Sequence, residues 1–189
     1  MKKFSLAVLM AVLSASVLAK AEDNRNFIKL EAVHYNYTSS PNDKNGFNLT
    51  LGREVVPGIK LDVKQEARVE ENTQKLSNRF ETGATWEQKI PFVTVGVRGA
   101  VGEKFTEGDN FGYWSVEPSV AYAVTDDVSV KGSWRYRDSF DSDRTDQTNT
   151  YKVGVDYKYA SNITLGASLG HTTGDSEYTA LQGGVAYKF

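Results

Sequence analysis

The 189-residue sequence predicts an all-β chain: an antiparallel up-and-down barrel of ten strands that crosses a membrane, with eight or twelve strands as alternative closures. Three observations predict it. The chain opens with an export leader, period-two alternation of apolar and polar residues then recurs almost to the last residue, and short turns alternate with longer polar loops.

Composition excludes other classes. Without cysteine there is no disulfide framework, thiolate chemistry or cysteine-ligated metal, and two histidines do not make a histidine-rich centre. The 22 basic and 24 acidic side chains provide no bulk attraction to nucleic acid.

Met1-Lys2-Lys3 is a short basic start, Phe4 to Leu18 is apolar but for small serines, and Ala19-Lys20-Ala21 supplies the small-x-small cleavage pattern. The run is shorter than the ~18–20 apolar residues of a spanning helix. Residues 1–21 therefore read as a signal peptide cleaved after Ala21, and residues 22–189 as the barrel. Losing Lys2, Lys3 and Lys20 takes the basic count from 22 to 19 against 24 acids, a net charge of -5.

The clearest alternating segment is 59–70. Ile59, Leu61, Val63, Ala67 and Val69 share one face, with only Gln65 breaking it; Lys60, Asp62, Lys64, Glu66, Arg68 and Glu70 share the other. Ionised groups on one side of a strand and aliphatics on the other place the apolar side against a thick hydrophobic phase. The same test gives ten segments, about 27–37, 46–54, 59–70, 79–88, 92–102, 112–123, 128–137, 150–159, 163–171 and 178–189. Most have the ~9–11 residues that cross a bilayer when tilted, longer than the ~5–6 of soluble strands. In the first segment the apolar residues change phase, from Ile28, Leu30 and Ala32 to Val33, Tyr35 and Tyr37, which predicts a bulge near Ala32.

Connections at 55–58, 89–91, 124–127 and 160–162 are tight; those near 39–45, 71–78, 103–110, 138–149 and 171–177 are longer and polar. Aromatic residues gather near strand ends, as interfacial girdles do. The closing Tyr187-Lys188-Phe189 resembles the terminal aromatic signature of outer-membrane barrels, which implies that Phe189 is read by the barrel-assembly machinery.

Inward positions carry twelve basic and eight acidic residues. Hairpin register is expected to place Glu70 opposite Arg79, Arg68 opposite Glu81, Glu54 near Lys60 and Arg98 diagonal to Glu117, each pair opposite in charge. Lys131, Arg135, Arg137, Lys152 and Lys158 on the seventh and eighth segments share only Asp156, leaving an unbalanced basic strip toward the outer mouth. Elsewhere the inward wall is Gly, Ala, Ser and Thr. Ten strands spaced ~4.8 Å and tilted ~40° form a barrel roughly 20 Å across, leaving a clear width on the order of 8–10 Å. The strip implies a narrow channel for ions or small, anionic solutes. The competing reading is a non-conducting structural or surface-interaction barrel held together by its salt bridges.

Thr125-Asp126-Asp127-Val128-Ser129-Val130, followed by Arg135-Tyr136-Arg137 and a polar loop, resembles the corresponding segment of the oligogalacturonate-specific porins of the KdgM type. The resemblance covers some thirty residues and implies a narrow monomeric barrel with Arg135 and Arg137 as guides for acidic oligosaccharides. That family has twelve strands, against ten here.

His171 with Asp175 and Ser176 is the one catalytic candidate, in a polar loop where such residues ordinarily form plain surface, so no enzyme is expected. Asp138, Asp141, Asp143 and Asp146 lack the glycine and glutamate spacing of a calcium loop. No cofactor or metal is implied. The expected partners are outer-membrane lipid, lipopolysaccharide, the assembly machinery and small solutes.

Overall fold

The computed structural model describes residues 25–38, 43–71, 75–106, 109–144 and 146–189; the leader and its cleavage site lie outside the described residues. Ten strands form one closed barrel: β1 (Asn26–Tyr37), β2 (Lys44–Val56), β3 (Ile59–Glu70), β4 (Leu76–Ile90), β5 (Val93–Thr106), β6 (Asp109–Ala123), β7 (Val128–Ser139), β8 (Thr148–Ala160), β9 (Ile163–Gly174) and β10 (Tyr178–Lys188). Each pairs antiparallel with its sequence neighbours, and β1 pairs with β10 to close the sheet. The seam ends in paired backbone bonds between Asn26 and Phe189, at 3.0 and 3.1 Å, so no edge strand is left.

The period-two faces sort as their chemistry requires. Leu30, Phe47, Val101, Val153 and Leu181 point outward, Val153 being 62% and Leu181 60% exposed where lipid replaces water. The tight turns share one end of the barrel and the longer connections the other. By the geometry of outer-membrane barrels these are the periplasmic and extracellular ends. Strands continue past the apolar belt at the extracellular end, so β4 begins at Leu76 and β6 at Asp109, earlier than alternation alone placed them.

The bulge expected near Ala32 is absent. β1 keeps unbroken register with β10 from Phe27 to Tyr37. The phase change has another cause: Val33, Tyr35 and Tyr37 face inward, where Val33 and Tyr35 form a small apolar core with Tyr178 and Ala180. Register shifts occur instead at Glu54/Val56 and Lys158/Ala160, beside periplasmic turns. A third irregularity lies between β6 and β7, where pairing lapses over Glu117 and Pro118 because proline has no N–H to donate. In the β4–β5 turn Phe92 takes a φ of 65°, a left-handed conformation unusual for a bulky residue. It follows Pro91 and is 71% exposed at the periplasmic rim.

Candidate functional site

The lumen differs between its two halves. In the extracellular half, inward side chains from facing walls meet. Glu66 on β3 accepts from Arg68 Nε at 2.5 Å and from Arg79 at 3.2 Å, with Lys64 at 4.0 Å. Glu81 on β4 accepts from Arg98, from Arg135 across the lumen and, at 3.1 Å, from the Tyr113 hydroxyl. Asp62 accepts twice from Arg98, at 2.5 and 3.0 Å. The Arg68 guanidinium lies 4.0 Å from the Tyr35 ring centroid and 5.1 Å from that of Tyr178, and donates to the Tyr37 and Tyr178 hydroxyls. Glu81 and Arg137 are each 4% exposed, so these charges are withdrawn from water and held by one another.

At the extracellular end, described residues of the β7–β8 connection reach inward. Asp146 turns inward to bind Arg137 at 2.7 Å and Lys104 at 3.5 Å. Arg144 lies 4.4 Å over the Phe111 ring, and the Gln147 amide donates to Asp175 at 2.6 Å. Among these charges a cavity of about 60 Å³ remains, lined by Lys64, Arg79, Arg135, Arg137, Lys152 and the Thr148, Thr150 and Thr172 side chains among others.

The periplasmic half is open. Cavities of about 370 to 390 Å³ adjoin one another through shared wall residues such as Lys131 and Asp156. Their walls include the small residues Thr94, Gly96, Ser119, Gly166 and Gly184, as the inward pattern implied. Charges pair locally here: Lys131 with Asp156 at 2.7 Å, Lys60 with Glu87 at 2.5 Å, Lys29 with Glu31 at 2.8 Å. Glu117 accepts from Ser133 at 2.7 Å and, with Lys152, borders both the narrow cavity and the wider one below it.

The structure gathers Arg68, Arg79, Glu81, Arg98, Glu117, Arg135, Arg137 and Lys152 around one constriction, and leaves Lys131 and Lys158 in the periplasmic half. Several pairings differ from those expected. Arg79 stands opposite Glu66 and Glu81 opposite Lys64, while Glu70 stands opposite Lys44 and Arg68 opposite Ser77. The ladder continues beyond the expected loop boundary, moving each partner by an even number, so the residues still face inward; Arg79, Glu81 and Glu70 meet opposite charges while Arg68 meets a serine. Glu54 does stand opposite Lys60, yet the lysine binds Glu87; Arg98 stands directly opposite Glu117, yet reaches Asp62 and Glu81. The basic strip is less unbalanced than drawn, because Glu81 answers Arg135 from across the lumen and Asp146 answers Arg137 from a loop, although basic side chains still outnumber acidic ones around the constriction. The clear width of the extracellular half closes for the same reason. Tyr113 was detectable, sharing the inward phase of Ser115 and Glu117; Asp146 lies in a loop and carries no periodic signal.

His171 faces the outside of the barrel and contacts Thr179 Oγ at 3.2 Å, whereas Asp175 is held by Gln147, so the two do not meet as a catalytic pair. Among the described residues no three His, Asp or Glu side chains converge to hold a metal.

A closed, lipid-faced barrel with a polar lumen defines an outer-membrane protein. The chain belongs to the outer membrane protein beta-barrel domain family, which it matches over residues 5–189. Among solved structures it is similar to the COG4313 outer membrane channel from Pseudomonas putida F1, at 8% identity over 90% of this chain and 100% of that one, with a TM-score of 0.57. It is also similar to the beta domain of the Bordetella autotransporter BrkA, at 10% identity over 87% and 99% of the two chains, with a TM-score of 0.55. The KdgM porin is among the matches at 12% identity over 86% and 99%, with a TM-score of 0.49. A channel and an autotransporter domain share this shape, so the likeness speaks to fold alone. No curated protein sequence matches the chain.

Proposed function

We propose that the protein is a narrow, low-conductance outer-membrane channel that passes small ions and favours anions at its constriction. One observation carries this reading: polar cavities adjoin from the periplasmic mouth to Glu117 and Lys152, where they meet a constriction lined by more basic than acidic side chains. Arg135 and Arg137 are its guiding residues. The residual 60 Å³ is too small for a sugar ring, so passage of an acidic oligosaccharide requires the β7–β8 connection to move.

The protein is read as a monomer, exported by its leader, assembled through recognition of Phe189, and bordered by lipopolysaccharide at its extracellular rim. A non-conducting structural barrel is the second reading, favoured by that same small volume and by the Asp146–Arg137 contact at it. Single-channel recording in planar bilayers separates the two. Discrete conductance with a reversal potential on the anion side is expected, shifted toward neutrality by joint Arg135→Ser and Arg137→Ser replacement. A silent bilayer with correctly folded protein selects the second reading, and unchanged selectivity in the double variant removes those arginines from the filter.

A further inference from the structure

Among the described residues, the constriction carries more positive than negative charge. Seven basic side chains line the 60 Å³ cavity against three carboxylates, Glu66, Glu81 and Glu117. Asp62 and Asp146, which reach Arg98 and Arg137 from behind, leave two positive charges in excess. A surplus in so narrow and largely buried a space is costly, because water and salt screen it poorly there. A second observation is independent of the count. The Nε atoms of Arg79, Arg135 and Arg137 are fully buried without a hydrogen-bond acceptor among the described residues, while other atoms of the same three side chains line this cavity. Buried guanidinium N–H groups left unpaired are among the most expensive vacancies in a protein interior.

We propose that the cavity is a binding site for a small inorganic anion, held between Arg79, Arg135 and Arg137 as a resident counter-ion. Its volume is that of about two waters, which suits a halide or a compact oxyanion and excludes larger organic acids. The cavity's threonine hydroxyls supply neutral donors. Thr150 stands opposite Arg135 in the β7–β8 register, 2.8 Å from Thr172 Oγ1, and Thr148 stands opposite Arg137. The site stands whether or not the barrel conducts, since a closed barrel needs the counter-ion as much as an open one.

Bromide is the probe, because it scatters anomalously and is not a general protein stabiliser. Refolded full-length mature protein in detergent is compared in sodium bromide and in sodium gluconate at equal ionic strength, gluconate being too large for the cavity. The thermal midpoint is expected to rise by roughly 5 °C or more in bromide. A bromide-soaked crystal is expected to place an anomalous peak in contact with the three arginines. Arg137→Gln reduces the bromide effect. Thr150→Asp, which tethers a carboxylate beside Arg135, keeps the fold and abolishes it. Equal midpoints in the wild-type protein, a cavity without the peak, or a bromide effect undiminished in Thr150→Asp overturns the proposal.

Discussion

Glu81 illustrates what one residue does in this lumen. It is 4% exposed and accepts from Arg98, Arg135 and Tyr113, which come from three strands. Removing its charge leaves Arg135 without its carboxylate partner and Arg98 with Asp62 alone. Glu81→Gln is expected to lose about 3–5 kcal/mol of stability, read as a lower urea midpoint in lipid vesicles. A loss below about 1 kcal/mol means that water already reaches these arginines. The sequence marked Glu81 as inward and acidic through period two alone, but assigned it Arg68. Side chains as long as arginine choose partners by reach across the lumen, and hairpin spacing does not report that distance.

At the scale of an element, the outward and inward faces of a strand obey different rules. Val153 lies mid-belt on β8 between Tyr151 and Tyr157, while its neighbour Lys152 points into the lumen. Val153→Arg is expected to cost about 2–4 kcal/mol in the folding equilibrium in bilayers, the depth-dependent penalty for a lipid-facing charge. The β7–β8 connection is the other element with a testable role. Asp146 ties it inward to Arg137 and Lys104, and Arg144 lies within it. Asp146→Asn is expected to free the connection, so that trypsin cuts after Arg144 in the variant under conditions that leave the wild-type loop intact. Equal protection of the two proteins removes Asp146 from that role. The ten strands were legible as elements, since alternation over a dozen residues is a strong local signal. The β1 bulge was misread because an inward cluster of Val33, Tyr35 and Tyr37 looks, in one dimension, like a change of register.

The whole molecule is asymmetric along its axis: interlocked and largely buried toward the cell surface, hydrated toward the periplasm. The chain has no cysteine, so single cysteines report this asymmetry cleanly. Ser115→Cys sits in the constricted half, where Ser115 is 4% exposed, and Ser119→Cys, two periods of alternation away on the same face, lines the open periplasmic cavity. A small charged thiol reagent is expected to label the second faster by on the order of tenfold or more. Comparable rates mean that water reaches Ser115 as freely as Ser119 and that the two halves of the lumen do not differ.

Strand number, antiparallel order, the lipid-facing and lumen-facing sets and the two kinds of connection are all legible in the order of residues. They depend on pleat geometry and burial, which act between neighbours in the chain. Which charge answers which, how far the lumen closes and where positive charge remains in excess depend on contacts such as Glu81 to Arg135 and Asp146 to Arg137. Those side chains meet only once the sheet has curved into a cylinder and brought distant strands within an arginine's length of each other.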